Sequence, residues 1–134
     1  MNNSLINCNN VYIKNIIKND VSMAGAFANI NFKKGDIVEY GIVRVITLDG
    51  HQNPYVFTWS NDIPNTKWGL SSGCATFYNT SLNPNTYMER DFENNTFIFR
   101  AITDIKKDDE LTHIYKSLKW RKCFSEINNY LNNN

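Results

Sequence analysis

Between Val11 and Tyr115 the apolar positions come in short runs broken by polar clusters, and these runs lack helical period. "VYIKNI" (Val11 to Ile16) alternates weakly and predicts a strand. "MAGAFA" (Met23 to Ala28) is small and apolar around Gly25, where the backbone can approach another group closely. "KKGD" (Lys33 to Asp36) reads as a turn. It precedes "IVEYGIVRVITL" (Ile37 to Leu48), whose β-branched residues predict two strands or one strand kinked at Gly41. "YVFTWS" (Tyr55 to Ser60), "NTFIFRAITDI" (Asn95 to Ile105) and "ELTHIY" (Glu110 to Tyr115) are further strand candidates, while "WGLSSGCATFYN" is too rich in small residues to assign. From Ser117 the period changes. Leu118, Cys123, Ile127 and Leu131 fall at mostly helical spacing and predict one amphipathic C-terminal helix. Many short strands with one late helix predict an α+β domain that is mostly β.

Two turns echo each other. Phe32-Lys33-Lys34-Gly35-Asp36-Ile37 is matched by Ile105-Lys106-Lys107-Asp108-Asp109-Glu110, with Asp108 where the first copy has glycine. Aspartate tolerates left-handed backbone better than most residues, so two similar hairpins are expected. The polar stretch 1–10 is expected to be a flexible N-terminus.

Composition narrows the class. The chain has 134 residues, 42% hydrophobic and 13% aromatic, enough for one domain that holds its core without metal or disulfide. Net charge is +1, from 14 basic and 13 acidic residues well mixed, and this balance argues for neither a nucleic-acid nor a membrane partner. Cys8, Cys74 and Cys123 are far apart and odd in number, with neither a disulfide framework nor zinc-ligand spacing. "MNNSLINCNN" lacks the basic cluster and apolar run of a signal peptide, so an intracellular, reducing location is expected. Asparagine is over-used, as in proteins from AT-rich genomes.

One stretch resists that bland picture. "YNTSLNPN" (Tyr78 to Asn85) packs three asparagines and a proline against the buried-looking "GCATF". It is a turn, a glycosylation acceptor or a site that holds a ligand with amides. An intracellular location removes the sugar reading.

The order of the pieces then becomes informative. A glycine-containing small-residue stretch precedes "FA", "KKGDIVEY" follows, then Asn-x-Ser-x-x-Pro-Asn, and last a strand with "RAI.DIKKDDELT.IY". This order resembles the SET-domain protein-lysine methyltransferases from about Val11 to Tyr115, and most of all the minimal viral SET proteins. The resemblance implies a SET fold of several small β-sheets around a knot-like crossing, with residues 11–116 as the SET domain. Residues 117–134 are then the C-terminal helix and polar tail, closing a pocket for S-adenosylmethionine. It implies cofactor contacts from the glycine turn Ala24-Gly25-Ala26, from Asn79 and Thr80, from Tyr115 and from Trp120. Asn85 is expected to cap its own turn. Thr80 stands where the family has histidine, and Met23-Ala24-Gly25 keeps only one glycine of the family's G-x-G.

Methyl transfer to lysine needs a sulfonium donor, a neutral amine and the two in line. It needs no nucleophile and no metal, and no metal is expected here. Neutralising a free lysine at neutral pH costs about 4–5 kcal/mol, which desolvation and a neighbouring positive sulfur offset. Tyr115 matches the family's active-site tyrosine, its hydroxyl orienting the amine. His113, two residues earlier, and Tyr55 are expected in the substrate channel. A neutral His113 leaves more room than tyrosine, predicting products beyond monomethyl-lysine. A charged one repels the substrate, predicting activity that climbs as pH rises through about 6.5. The implied partner is a protein bearing a target lysine, a histone tail being the family's commonest substrate, in the nucleus or a viral factory. A homodimer is one way to close the pocket. The competing reading is an impaired SET module that binds a peptide without transferring methyl.

Overall fold

The computed structural model describes residues 4–47, 55–60 and 67–115. Among them are nine strands: β1 Val11–Lys18, β2 Val21–Ala28, β3 Ile37–Ile46, β4 Phe57–Thr58, β5 Trp68–Ser71, β6 Asn79–Thr80, β7 Thr86–Asp91, β8 Thr96–Ala101 and β9 Glu110–His113. They form a four-stranded sheet in the order β1-β2-β9-β6 and a five-stranded sheet in the order β4-β5-β3-β8-β7. The domain is mostly β, as expected. The helix expected over 117–134 lies outside the described residues.

The strands follow their alternation. In β8 the side chains of Phe97, Phe99 and Ala101 are buried and those between them are not, which puts one face on the core. Burying each such phenylalanine stabilises the fold by about 1.5–3 kcal/mol. Leu111 and His113 do the same for β9. β2 is small-residued because it is squeezed between β1 and β9, and Ala26 and Ala28 are fully buried there.

Gly41 does not kink β3, which runs unbroken from Ile37 to Ile46 with its register irregularity between Ile37 and Glu39. The glycine answers a packing need instead: a Cβ there would stand 2.3 Å from Ser72 Oγ and 2.7 Å from the Phe97 ring. The expected strand over Asn95 to Ile105 stops at Ala101, because Ile105 leaves β8 to pair with Phe32. Only Phe57 and Thr58 of "YVFTWS" pair as a strand. β7 was not expected, since its charged second half, Glu89 to Asp91, hides the buried Thr86 and Met88.

The two echoing turns do not close hairpins. Each links strands of different sheets, and the strands exchange partners: β2 pairs with β9, and β3 with β8. The exchange has a local two-fold pattern. Phe32 and Ile105 trade backbone bonds of 2.8 Å each way, Gly35 N–H donates to Ala101 O, and Asp108 N–H donates to Ala28 O. Asn31 Oδ1 accepts from Lys107 N–H, as Asp104 Oδ1 accepts from Lys34 N–H. Both special turn positions are left-handed, Gly35 at φ +92° and Asp108 at φ +74°, so the sequence echo reflects one backbone shape used twice.

In the N-terminal segment, Asn10 O accepts from Asn29 N–H at 2.9 Å. Asn7 donates to Tyr40 O at 2.9 Å and accepts from Tyr40 N–H at 3.1 Å, which adds a bridge beside β3.

Candidate active site

Asn79 and Thr80 form β6 and run parallel to β9, with Asn79 opposite Thr112 and Thr80 opposite His113. The Asn79 amide crosses to β2 and β9, its Nδ2 donating to Ala24 O at 3.2 Å and to Glu110 Oε2 at 2.9 Å. Glu110 is held in turn by Lys18 Nζ at 2.7 Å. Gly25 is a buried strand residue in unbroken register with β1, neither a turn nor a bulge. Its missing side chain makes room for the junction: a Cβ there would lie 3.0 Å from Glu110 Oε2 and 3.3 Å from Asn79 Nδ2. Asn79 therefore uses both amide protons inside the protein, and among the described residues only its Oδ1 is left to accept from a ligand. Ala26 is fully buried opposite Leu111 and presents no side chain to such a ligand.

Asn85 does not cap its own turn. Its side chain stands in for a strand partner of β9, donating to Glu110 O at 2.8 Å and accepting from Thr112 N–H at 2.9 Å. Thr86 adds a bond from its hydroxyl to Thr112 O at 2.7 Å. The uncharged amides of "YNTSLNPN" thus knit the crossing of this segment with β9. A charged side chain there would have to lose its water.

Tyr115 follows β9 and folds back over the segment before β6. Its hydroxyl donates to Tyr78 O at 2.9 Å, and its backbone N–H donates to Thr80 Oγ1 at 3.2 Å. Thr80, in place of the family's histidine, thereby fixes the tyrosine's backbone. Tyr78 lies beneath, fully buried, stacked on Phe99 at 4.0 Å, with its hydroxyl donating to Glu39 Oε1 at 2.8 Å. The sequence offered no signal for Tyr78, since one aromatic before a polar loop looks like many others.

His113 is buried among the rings of Phe57, Tyr78, Phe99 and Tyr115, at centroid distances of 5.0 to 6.2 Å. Burial, with the nearby Arg90 guanidinium, pushes its pKa down to about 3. Burial thus favours the neutral imidazole, the one of the two expected cases that leaves more room in place of repelling the substrate. Among the described residues, its Nε2 and the Arg90 Nε have no hydrogen-bond partner. Tyr55 is not brought to this cluster; it sits in a turn before β4 and is 65% exposed, while Phe57 faces His113 instead. Trp120 lies outside the described residues.

The fold brings two of the cysteines together. Cys8 and Cys74, 66 positions apart in the chain, meet around Glu39.

The SET domain family model matches residues 24–116. The chain is 28% identical over 89 residues to a Schizosaccharomyces pombe protein, histone-lysine N-methyltransferase, H3 lysine-37 specific. That match covers 66% of this chain and 54% of the relative, so the chain spans about half the relative's length. A solved structure of a candidate histone methyltransferase from Plasmodium falciparum superposes with a TM-score of 0.61 at 25% identity, over 83% of this chain and 96% of that one. The Neurospora SET domain protein DIM-5, a histone lysine methyltransferase, shares the fold with a TM-score of 0.55 at 21% identity, over 77% of this chain and 51% of that one. The matched span holds the β2–β6–β9 junction and Tyr115 together, and the chain belongs to the SET-domain family.

Proposed function

We propose that the chain is an S-adenosylmethionine-dependent protein-lysine N-methyltransferase acting on histone tails. The observation that carries this reading is the junction itself. Asn79 is locked between β2 and β9 with one amide oxygen to spare, and Tyr115 is anchored at the adjoining Tyr78 and Thr80. These residues suit the cofactor. Asn79 Oδ1 is an acceptor for an ammonium group, and the Gly25 strand has no side chain to fill the junction. When bound, S-adenosylmethionine supplies an electrophilic methyl on a positively charged sulfur.

The chain's own residues do the rest. Asn79 orients the amino-acid end of the ligand without adding charge. Tyr115 lies next to the aromatic floor of His113, Tyr78 and Phe99, where water is excluded and a lysine ammonium loses its proton more readily. The Tyr115 oxygen keeps lone pairs after donating to Tyr78, so it can accept from the amine and from a polarised methyl C–H. Alignment of donor and acceptor then supplies much of the rate. The relatives named for histone-lysine methylation support a histone substrate. With His113 neutral, the reading extends to products beyond monomethyl-lysine.

Calorimetry with S-adenosylmethionine, followed by mass spectrometry of core histones incubated with both, tests the proposal. The expected result is saturable heat in the wild type, weakened by roughly 1–3 kcal/mol in Asn79→Ala, and methylated lysine in the products. Binding without transfer would favour the impaired peptide-binding module. No heat at all would remove the enzyme reading.

A further inference from the structure

Away from the Asn79–Tyr115 junction, three ligand-type atoms converge. The sulfurs of Cys8 and Cys74 and a carboxylate oxygen of Glu39 all lie within 4.8 Å of one another. Each sits on a segment fixed by backbone bonds. Cys8 follows Asn7, which bridges to Tyr40, the neighbour of Glu39 on β3. Cys74 opens the short 3-10 turn Ala75–Phe77, and its backbone N–H donates to Glu39 Oε2 at 2.8 Å. Gly73 approaches in the left-handed region at φ +67°, where a Cβ would stand 2.4 Å from Glu39 Oε2 and 3.6 Å from Cys8 Sγ.

Glu39 is the anomaly. It is 1% exposed, yet among the described residues no lysine or arginine pairs with it. A buried carboxylate held only by a peptide N–H and a tyrosine hydroxyl lacks a countercharge. Both cysteines are only partly buried, so an ion can reach the cluster from solvent.

We infer that Cys8, Glu39 and Cys74 bind one divalent transition-metal ion of the zinc class, with water in the fourth position. Two thiolates and a carboxylate are zinc ligands by type, and thiolates disfavour calcium and magnesium. Two sulfurs on a tetrahedral zinc ion lie about 3.8 Å apart, from Zn–S bonds of about 2.3 Å. On binding, each thiol gives its proton to water, and the ion becomes the missing countercharge of Glu39. The bonds from Cys74 N–H and Tyr78 hydroxyl then orient the carboxylate as outer partners do in metal sites. The ion takes no part in methyl transfer. It staples the N-terminal segment to β3 and to Tyr78, whose carbonyl holds Tyr115.

The test titrates the reduced full-length chain with Co²⁺ alone and follows the thiolate-to-cobalt absorbance in the near ultraviolet. The expected result is saturation at one equivalent, displacement by Zn²⁺, and a rise in melting temperature with Zn²⁺. Cys8→Ser and Cys74→Ser should each lose the band and weaken binding by more than about 100-fold, beyond what loss of an outer partner causes. Cys123→Ser should keep it. Cys8 lies on a peripheral segment, so Cys8→Ser decides the matter if Cys74→Ser fails to fold. No band in the reduced wild type, or a band that survives Cys8→Ser, overturns the site. So does a Cys8–Cys74 disulfide whose reduction leaves a chain without affinity for Co²⁺.

Discussion

At the scale of single residues, Tyr115 and His113 show how position converts ordinary side chains into particular ones. The Tyr115 hydroxyl is spent on Tyr78 O, so removing it costs one structural bond as well as any contact with a reacting amine. Tyr115→Phe should leave cofactor affinity nearly intact while lowering turnover by about tenfold or more, as loss of a transition-state contact does. Calorimetry beside a methyl-transfer assay checks it, and an undiminished rate would take Tyr115 out of the mechanism. His113 is a stability question. Its folded pKa of about 3 lies below the usual 6.5, so the unfolded chain binds the proton more readily. Its contribution is therefore whole above pH 6.5 and is lost as pH falls from 6.5 toward 3, by up to about 1.4 kcal/mol per unit. Denaturant melts across that window should show a shallower acid slope in His113→Phe than in wild type. Equal slopes would mean that another group carries the effect.

At the scale of elements, the close crossings depend on what glycine leaves out. Gly41 lies in β3 where Phe97 of β8 and Ser72 press from either side, and neither the ring nor the hydroxyl, which accepts from Ile42 N–H at 3.0 Å, is free to withdraw. Gly41→Ala should destabilise by about 1–3 kcal/mol, the usual cost of overpacking, read as a lower denaturant midpoint with unchanged slope. A neutral effect would mean that β3 and β8 separate more easily than their packing implies. Periodicity made β8 and β9 legible because both alternate cleanly. It failed for β7, whose charged residues share a strand with buried Thr86 and Met88, and for β6, a two-residue strand that exists only through its pairing with β9.

For the whole molecule, the reciprocal exchange of β2 with β9 and β3 with β8 ties the two sheets through the paired turns. The N-terminal segment joins through Asn7 and Tyr40. Removing residues 1–10 deletes Cys8 and, among the described residues, four backbone bonds to the rest of the fold, the two with Tyr40 and those from Val11 N–H to Cys8 O and from Asn29 N–H to Asn10 O, and should lower stability by about 2–6 kcal/mol at roughly 0.5–1.5 per bond. Calorimetric melting of the truncated chain measures this, and an unchanged midpoint would show the segment to be a passive cover. By itself the sequence determined the mostly-β class, the two left-handed turns at Gly35 and Asp108, and the ordered landmarks of the SET family from Gly25 through Asn79 to Tyr115. These are local properties: alternation chooses a face, and a left-handed backbone selects glycine or aspartate. Only the tertiary structure decided which strands exchange partners, that Asn85 completes β9, that Cys8 meets Cys74 at Glu39, and that His113 stays neutral. Hydrogen-bond partners and desolvation come from groups far away in the chain, and one-dimensional order does not carry the distance between them.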